Sequence, residues 1–170
     1  MICYLAGPID YEADQGKGWR GDLKKLCEGN RDIAFFDPYA PYKFGNITDK
    51  VASYIHDVNM MAMERADCVV GRMMKGQTSV GTPIEFYQSL RRKPVIIWTD
   101  MGESVYMKYI GVHAILVKDI NELYGTILKT STRMEEREAQ FRVGPADSMH
   151  KVDNALGIGI GQALTKDRIG

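Results

Sequence analysis

The chain has 170 residues, 45% of them hydrophobic, which is enough for one ordinary domain with a buried core and leaves room for a tail. Basic and acidic residues balance at 22 each, so a nucleic-acid polymer is not an expected partner, although a single nucleotide can still bind a local site. No apolar run approaches the roughly 20 residues of a membrane span, the N-terminus runs straight into a predicted strand rather than a signal peptide, and the three cysteines Cys3, Cys27 and Cys68 match neither a zinc spacing nor a paired disulfide framework, so a reducing cytoplasm is the expected location.

Met1–Leu5 reads as a short apolar strand ending in Ala6-Gly7-Pro8. Trp19, Leu23 and Leu26 then recur at helical spacing within a helix over 15–28. Ile33–Phe36 is a second strand, stopped by Asp37-Pro38, and Tyr39–Gly45 is a proline-stiffened loop. A long helix starts near Thr48, with Val51, Ile55, Val58 and Ala62 as its apolar stripe, and ends near Ala66-Asp67. Cys68–Val70 is the third strand, Met73–Val80 a loop, and Thr82–Arg92 the next helix. Pro94–Trp98 and His113–Val117 are strands four and five, with a short helix at 103–109 between them, and Ile120–Leu128 is a closing helix.

Strand and helix alternate, which predicts an α/β protein with a parallel sheet covered on both faces. The economical arrangement is a flavodoxin-like three-layer sandwich: a five-stranded parallel sheet in the order 2-1-3-4-5, with right-handed crossovers. This domain spans 1–130, and 131–170 forms a C-terminal extension of unassigned role. Arg133–Ala139 is charged and expected to be helical, whereas Val143–Gly170 carries scattered glycines and no clear period.

Ser79-Val80-Gly81-Thr82-Pro83-Ile84-Glu85 carries the strongest chemical signal, at a strand-to-helix corner where open α/β sheets place ligand sites. Thr82-Pro83-Ile84-Glu85 fits a capping box with proline at the first helical position, which would use Glu85 only to satisfy a backbone N–H. The same geometry also suits function, because the positive end of the helix favours an ionised carboxylate that can attack an anomeric carbon. Ser79 and the backbone around Gly81 offer donors for a 5′-hydroxyl or phosphate, and glycine admits a close ligand approach. Gly7, Pro8 and Asp10 form the loop after strand one and a wall of the same pocket; Asp10 is either a sugar-hydroxyl partner or a solvated turn residue. Asn59 lies at the edge of the long helix's apolar stripe, where an interior Asn is a poor helix former and so points to a purpose. Asp57 lies too far round the helix to share that site. His56, His113 and His150 show no triad or metal spacing, and no Walker loop or GxGxxG follows strand one, so neither a metal nor another cofactor is expected.

Taken in order, Tyr4-Leu-Ala-Gly-Pro8, Asn59, Ala66-Asp67, Ser79-x-Gly81-Thr-x-x-Glu85 and Lys93-Pro94-Val-Ile resemble the nucleoside 2-deoxyribosyltransferase family over residues 1–98. That resemblance includes its deoxynucleoside 5′-monophosphate N-glycosidase branch. It implies cleavage of the N-glycosidic bond of a 2′-deoxynucleoside or its 5′-monophosphate, and transfer of the sugar to another base or to water. Glu85 would be the nucleophile and Tyr4 would position it. Two departures stand out. Asn59 occupies the position where the family usually holds an aspartate that helps protonate the leaving base, and an amide cannot deliver a proton. Ser79 replaces the acidic residue frequent in the transferases, as in the monophosphate branch, yet Asp10 stands where that branch tends to place a cation, which leaves Arg20 as the candidate cation. A non-catalytic nucleotide-binding module that retains the pocket is the alternative, and a plain flavodoxin-like mononucleotide binder is a third. A homodimer or higher homo-oligomer is expected, with contacts around Met60–Met63 and Phe86-Tyr87; the family also implies a site completed by a neighbour's C-terminal residues.

Overall fold

The central apolar runs at 3–6, 68–71 and 95–97 become buried strands, whereas the edge runs at 34–36 and 115–117 stay partly exposed. The computed structural model describes residues 1–9, 13–39, 48–77 and 79–140. In chain order its elements are β1 (Ile2–Ala6), α1 (Lys17–Leu26), β2 (Ala34–Phe36), α2 (Asp49–Arg65), β3 (Cys68–Arg72), α3 (Gly81–Ser89), β4 (Val95–Trp98), α4 (Val105–Gly111) and β5 (Ile115–Val117). A further helix, α5, runs over 120–140. The strands form one parallel sheet in the order β2-β1-β3-β4-β5, as the sequence predicts. Residues Met1–Ser131 form one compact unit, and beyond it 132–140 are described and helical.

Strand alternation sorts the core into two layers. Cys3 and Leu5 of β1 face Trp19 and Leu23 of α1 and Leu123 and Ile127 of α5. Tyr4 and Ala6 face the other way, onto Met63 of α2, Phe86 of α3, and Met107 and Ile110 of α4. The register pairs Cys3 with Phe35 on one side and Cys68 on the other, so β1 lies at the centre of the left half of the sheet.

Local chemistry fixes the helix ends. At the start of α1, the Asp14 carboxylate accepts from the backbone N–H groups of Gly16 (2.9 Å) and Gly18 (2.8 Å). Gly16 has φ 69°, and a Cβ there would lie 2.6 Å from the Pro8 carbonyl oxygen, so this turn requires glycine. Thr48 caps α2 by accepting from the Val51 N–H. At the other end, Lys93 Nζ donates to the carbonyls of Met63 (2.6 Å), Glu64 (2.9 Å) and Ala66. Asp67 then accepts from the Ile2 N–H at 2.7 Å, and these bonds set α2 against the start of β1.

Several boundaries and contacts differ from the sequence expectation. β3 continues through Gly71 and Arg72, because Gly71 and Arg72 pair with Ile97 and Trp98. α3 stops at Ser89, where Leu90 turns extended and Arg91 adopts φ 66°. β5 starts only at Ile115, since His113 and Ala114 spend their N–H groups on the Ile110 carbonyl at the end of α4. Cys27, not Leu26, continues the buried stripe of Trp19 and Leu23 at steps of four, and Leu26 is exposed. The methionine contact surface is corrected too: Met63 is buried, Met60 packs against the same core, and Phe86 is fully buried, so only Met61 and Tyr87 of that set are exposed. The i, i+3 spacing of Met60 and Met63 puts both on the side of α2 that meets the core, and Phe86 reaches the same core from α3.

Candidate active site around Glu85

The site begins with a notch in the sheet. Gly71 of β3 has no side chain, and a Cβ there would lie 2.3 Å from the Phe86 ring. Phe86 fills that notch, and with Thr82 and Ser89 it makes the buried face of α3. Fixing Phe86 fixes the rotation of the helix, which swings the preceding residue, Glu85, toward β1. There the Tyr4 hydroxyl donates to Glu85 Oε1 at 2.6 Å. Tyr4 itself is fully buried, with its ring stacked on Phe36 at 5.7 Å and 9° between planes. The partner of Glu85 is therefore 81 residues away in the chain.

The capping-box reading of Glu85 does not hold. α3 starts one residue earlier, at Gly81, and Val80 in the N-cap position makes no side-chain cap. Ser79 Oγ accepts from the Thr82 N–H at 3.2 Å and donates to Thr82 Oγ1 at 2.7 Å, so the serine closes the turn. Ser79 is half-buried beside the helix start. Gly81 is exposed, and a Cβ on it would meet nothing within 4 Å, so its lack of a side chain leaves open approach rather than relieving a packing clash.

The Glu85 carboxyl sits above its ordinary pKa. Burial is the largest cause and raises it; the Tyr4 hydrogen bond, the Arg20 charge and the His56 charge pull it back down, in that order. Desolvation thus outweighs the groups that favour the ionised form.

Arg20 is buried, its side chain only 1% exposed. It donates to the carbonyls of Gly16 (2.9 Å) and Gly7 (3.0 Å), faces Asp37 at 3.5 Å, and lies over the Trp19 ring. Burial pulls its pKa down, while Asp37 and then Glu85 raise it. Arg20 therefore ties the β1 loop to α1 and acts on the Glu85 carboxylate through its field. Gly7 and Pro8 are buried at the carboxyl end of β1, and a Cβ on Gly7 would come within 3.0 Å of Trp19. Asn59 is half-buried on α2, whereas Asp57 is exposed. Asp10 lies outside the described residues.

Three contributors escaped the reading of the sequence. Phe36 supports Tyr4 from β2, Gly71 receives Phe86, and His56 acts electrostatically on Glu85 from α2. Only His56 left a trace, the helical spacing His56, Met60, Met63. A separate cavity of about 400 Å³ opens at the carboxyl ends of β4 and β5, lined by Thr99, Asp100, Glu103 and Lys118 among others, and contains none of the expected site residues. Among the described residues, no cluster of three or more His, Cys, Asp or Glu could hold a metal ion, and no helix is long and apolar enough to cross a membrane.

A parallel sheet in this order, wrapped by helices on both faces, is the flavodoxin-like doubly wound class, in which ligands bind beyond the carboxyl ends of the strands where the order reverses. Here that reversal falls between β1 and β3, beside Tyr4, Gly7 and Glu85. No protein-family model and no curated protein matches the chain. Among solved structures, the 2-deoxyribosyltransferase of Bacillus psychrosaccharolyticus is similar, with a TM-score of 0.59 and 19% identity over 73% of this chain and 90% of that one. A conserved protein from Enterococcus faecalis V583 is similar as well, with a TM-score of 0.57 and 13% identity over 79% of this chain and 98% of that one. At these identities the fold is what is shared.

Proposed function

We propose that this protein cleaves the N-glycosidic bond of a 2′-deoxynucleoside or its 5′-monophosphate, with Glu85 as the nucleophile. The observation that carries the reading is the Tyr4–Glu85 hydrogen bond at 2.6 Å, at the strand-order reversal of a fold shared with a 2-deoxyribosyltransferase. Tyr4 holds Oε1 and so orients the carboxylate, and its hydrogen bond with the Arg20 field opposes the desolvation of the charged form. Glu85 attacks C1′, the base leaves, and a covalent glycosyl ester forms; water or a second base then takes the sugar. Ser79 and the exposed start of α3 at Gly81 receive the 5′-hydroxyl or phosphate, against the wall made by Gly7 and Pro8.

Glu85→Gln tests the nucleophile. Gln keeps an acceptor for Tyr4 but has no carboxylate to attack with, so release of free base from a panel of deoxynucleosides and monophosphates should fall by about 10³-fold or more. Near-wild-type cleavage by this variant would remove Glu85 from the mechanism. Product analysis with and without an acceptor base separates a transferase from a hydrolase.

Asn59 favours a second reading, a nucleotide-binding module without turnover, because its amide cannot protonate a base. Nucleotide binding without cleavage by the wild type, together with activity gained on Asn59→Asp, would establish that reading instead. We also propose a homo-oligomer. Ile84 and Tyr87 are exposed three residues apart on α3, and Tyr54 and Met61 are exposed seven apart on the adjacent α2, which leaves apolar surface uncovered in a single chain. Sedimentation that shows only a 19.1 kDa species at micromolar concentration would refute this.

A further inference from the structure

We propose that His56 is the acid that gives a proton to the departing base, an assignment that rests on the glycosidic reading above. The proposal starts from the inward stripe of α2. Met63 is buried in the same core cluster as Tyr4, and Met60 packs against that cluster. His56 continues this stripe, four residues before Met60 and seven before Met63. Seven residues of helix rise about 10 Å. In a parallel sheet, α2 leaves the carboxyl end of β2 and descends to the amino end of β3, so moving from Met63 back to His56 climbs toward the carboxyl edge. α3 also starts at that edge, on the same face, and packs against α2. His56 and Glu85 thus overhang one corner from two adjacent helices. The electrostatics agree, since a charged His56 stabilises the Glu85 carboxylate. His56 is exposed, as a group that meets a ligand and recovers its proton from solvent must be.

Histidine exchanges protons near neutral pH, whereas the Asn59 amide three residues on does not. Asn59 is then left to hydrogen-bond the base edge while His56 supplies the proton. A glycosyl-enzyme mechanism needs an acid and a nucleophile on opposite sides of the scissile bond. In the first step Glu85 forms the C1′–O bond, the C1′–N bond breaks with its electron pair on the base, and the His56 ring N–H protonates a ring nitrogen of that base. In the second step water or an acceptor base attacks C1′, the ester bond returns its pair to Glu85, and the proton lost by the attacking group goes to His56.

The test compares two leaving groups in wild type and His56→Gln. 2′-Deoxyguanosine needs a proton for guanine to depart neutral; N7-methyl-2′-deoxyguanosine, already cationic, does not. Both are supplied also as 5′-monophosphates. His56→Gln should lower kcat/KM on the unmethylated substrate by about 10²- to 10⁴-fold, the usual contribution of a positioned acid, and leave the methylated substrate within about threefold. The methylated substrate also verifies that the variant is folded. Equal losses on both substrates would make His56 a positioning or structural residue and overturn the proposal, as would full activity on both. Wild-type release from the methylated substrate alone would mean that no acid serves. Release from neither substrate by the wild type would overturn the glycosidic reading and this one with it, whereas Glu85-dependent release that ignores His56→Gln overturns this one alone.

Discussion

Tyr4→Phe isolates one hydrogen bond. Phe keeps the buried ring and its stack on Phe36, so the core layer beneath the site is undisturbed. What is lost is the hydroxyl that donates to Glu85 Oε1 at 2.6 Å. A hydrogen bond to a charged group contributes about 1.5–3 kcal/mol, and about 1.4 kcal/mol corresponds to tenfold in rate. Glu85 is half-buried, so water replaces part of the loss and the lower half of that range applies. The expected result is a fall in kcat/KM of about twelve- to fortyfold, with the fold retained. The pH profile gives the sharper readout. Tyr4 is a cause that lowers the Glu85 pKa, so removing it raises the pKa further and moves the acid limb of the profile to higher pH. The thermal stability lost relative to wild type should be largest where Glu85 is ionised and shrink as pH falls through its folded value. Activity within twofold of wild type and an unmoved acid limb would refute the role assigned to Tyr4.

Glu85→Gln also makes a stability prediction. The folded state raises the Glu85 pKa above the ordinary 4.5, so wild type holds this contribution below that value and loses it as pH rises through the folded value. Gln has no such loss, so the melting temperature of the variant should gain on wild type from acid to neutral pH; a relative decline over the same range would count against burial as the dominant cause. Gly71→Ala should place a methyl group 2.3 Å from the Phe86 ring and 3.0 Å from the Ala6 carbonyl oxygen. Overpacking of this kind costs about 1–3 kcal/mol, and because Phe86 must move, Glu85 moves with it. A lowered denaturation midpoint together with lost cleavage is expected, and an unchanged midpoint would show that the notch is not filled as described.

Much of the fold was legible because its signals are local. Short apolar runs alternating with amphipathic helices specify a parallel sheet, and chain-order constraints leave few ways to arrange it, so the order β2-β1-β3-β4-β5 followed from the pattern. Glu85 and Ser79 were legible as candidates because a helix start is read from neighbouring residues. The Tyr4–Glu85 pairing was expected only from the family resemblance, since nothing local to either residue joins them. Within the sequence Thr82 is its natural capping partner, but the folded chain brings Tyr4 from 81 residues away and gives the turn to Ser79. Arg20 reads as the candidate cation for a substrate phosphate, whereas the fold encloses it between Gly7, Gly16 and Asp37. Met63 and Phe86 read as contact surface until the sheet covers them. The sequence by itself determined the layers and which residues stand at their edges, because periodicity is written within a few turns of chain. Only the tertiary structure decided partners, burial and therefore charge state, because desolvation and hydrogen bonding depend on groups that sequence distance does not bring together.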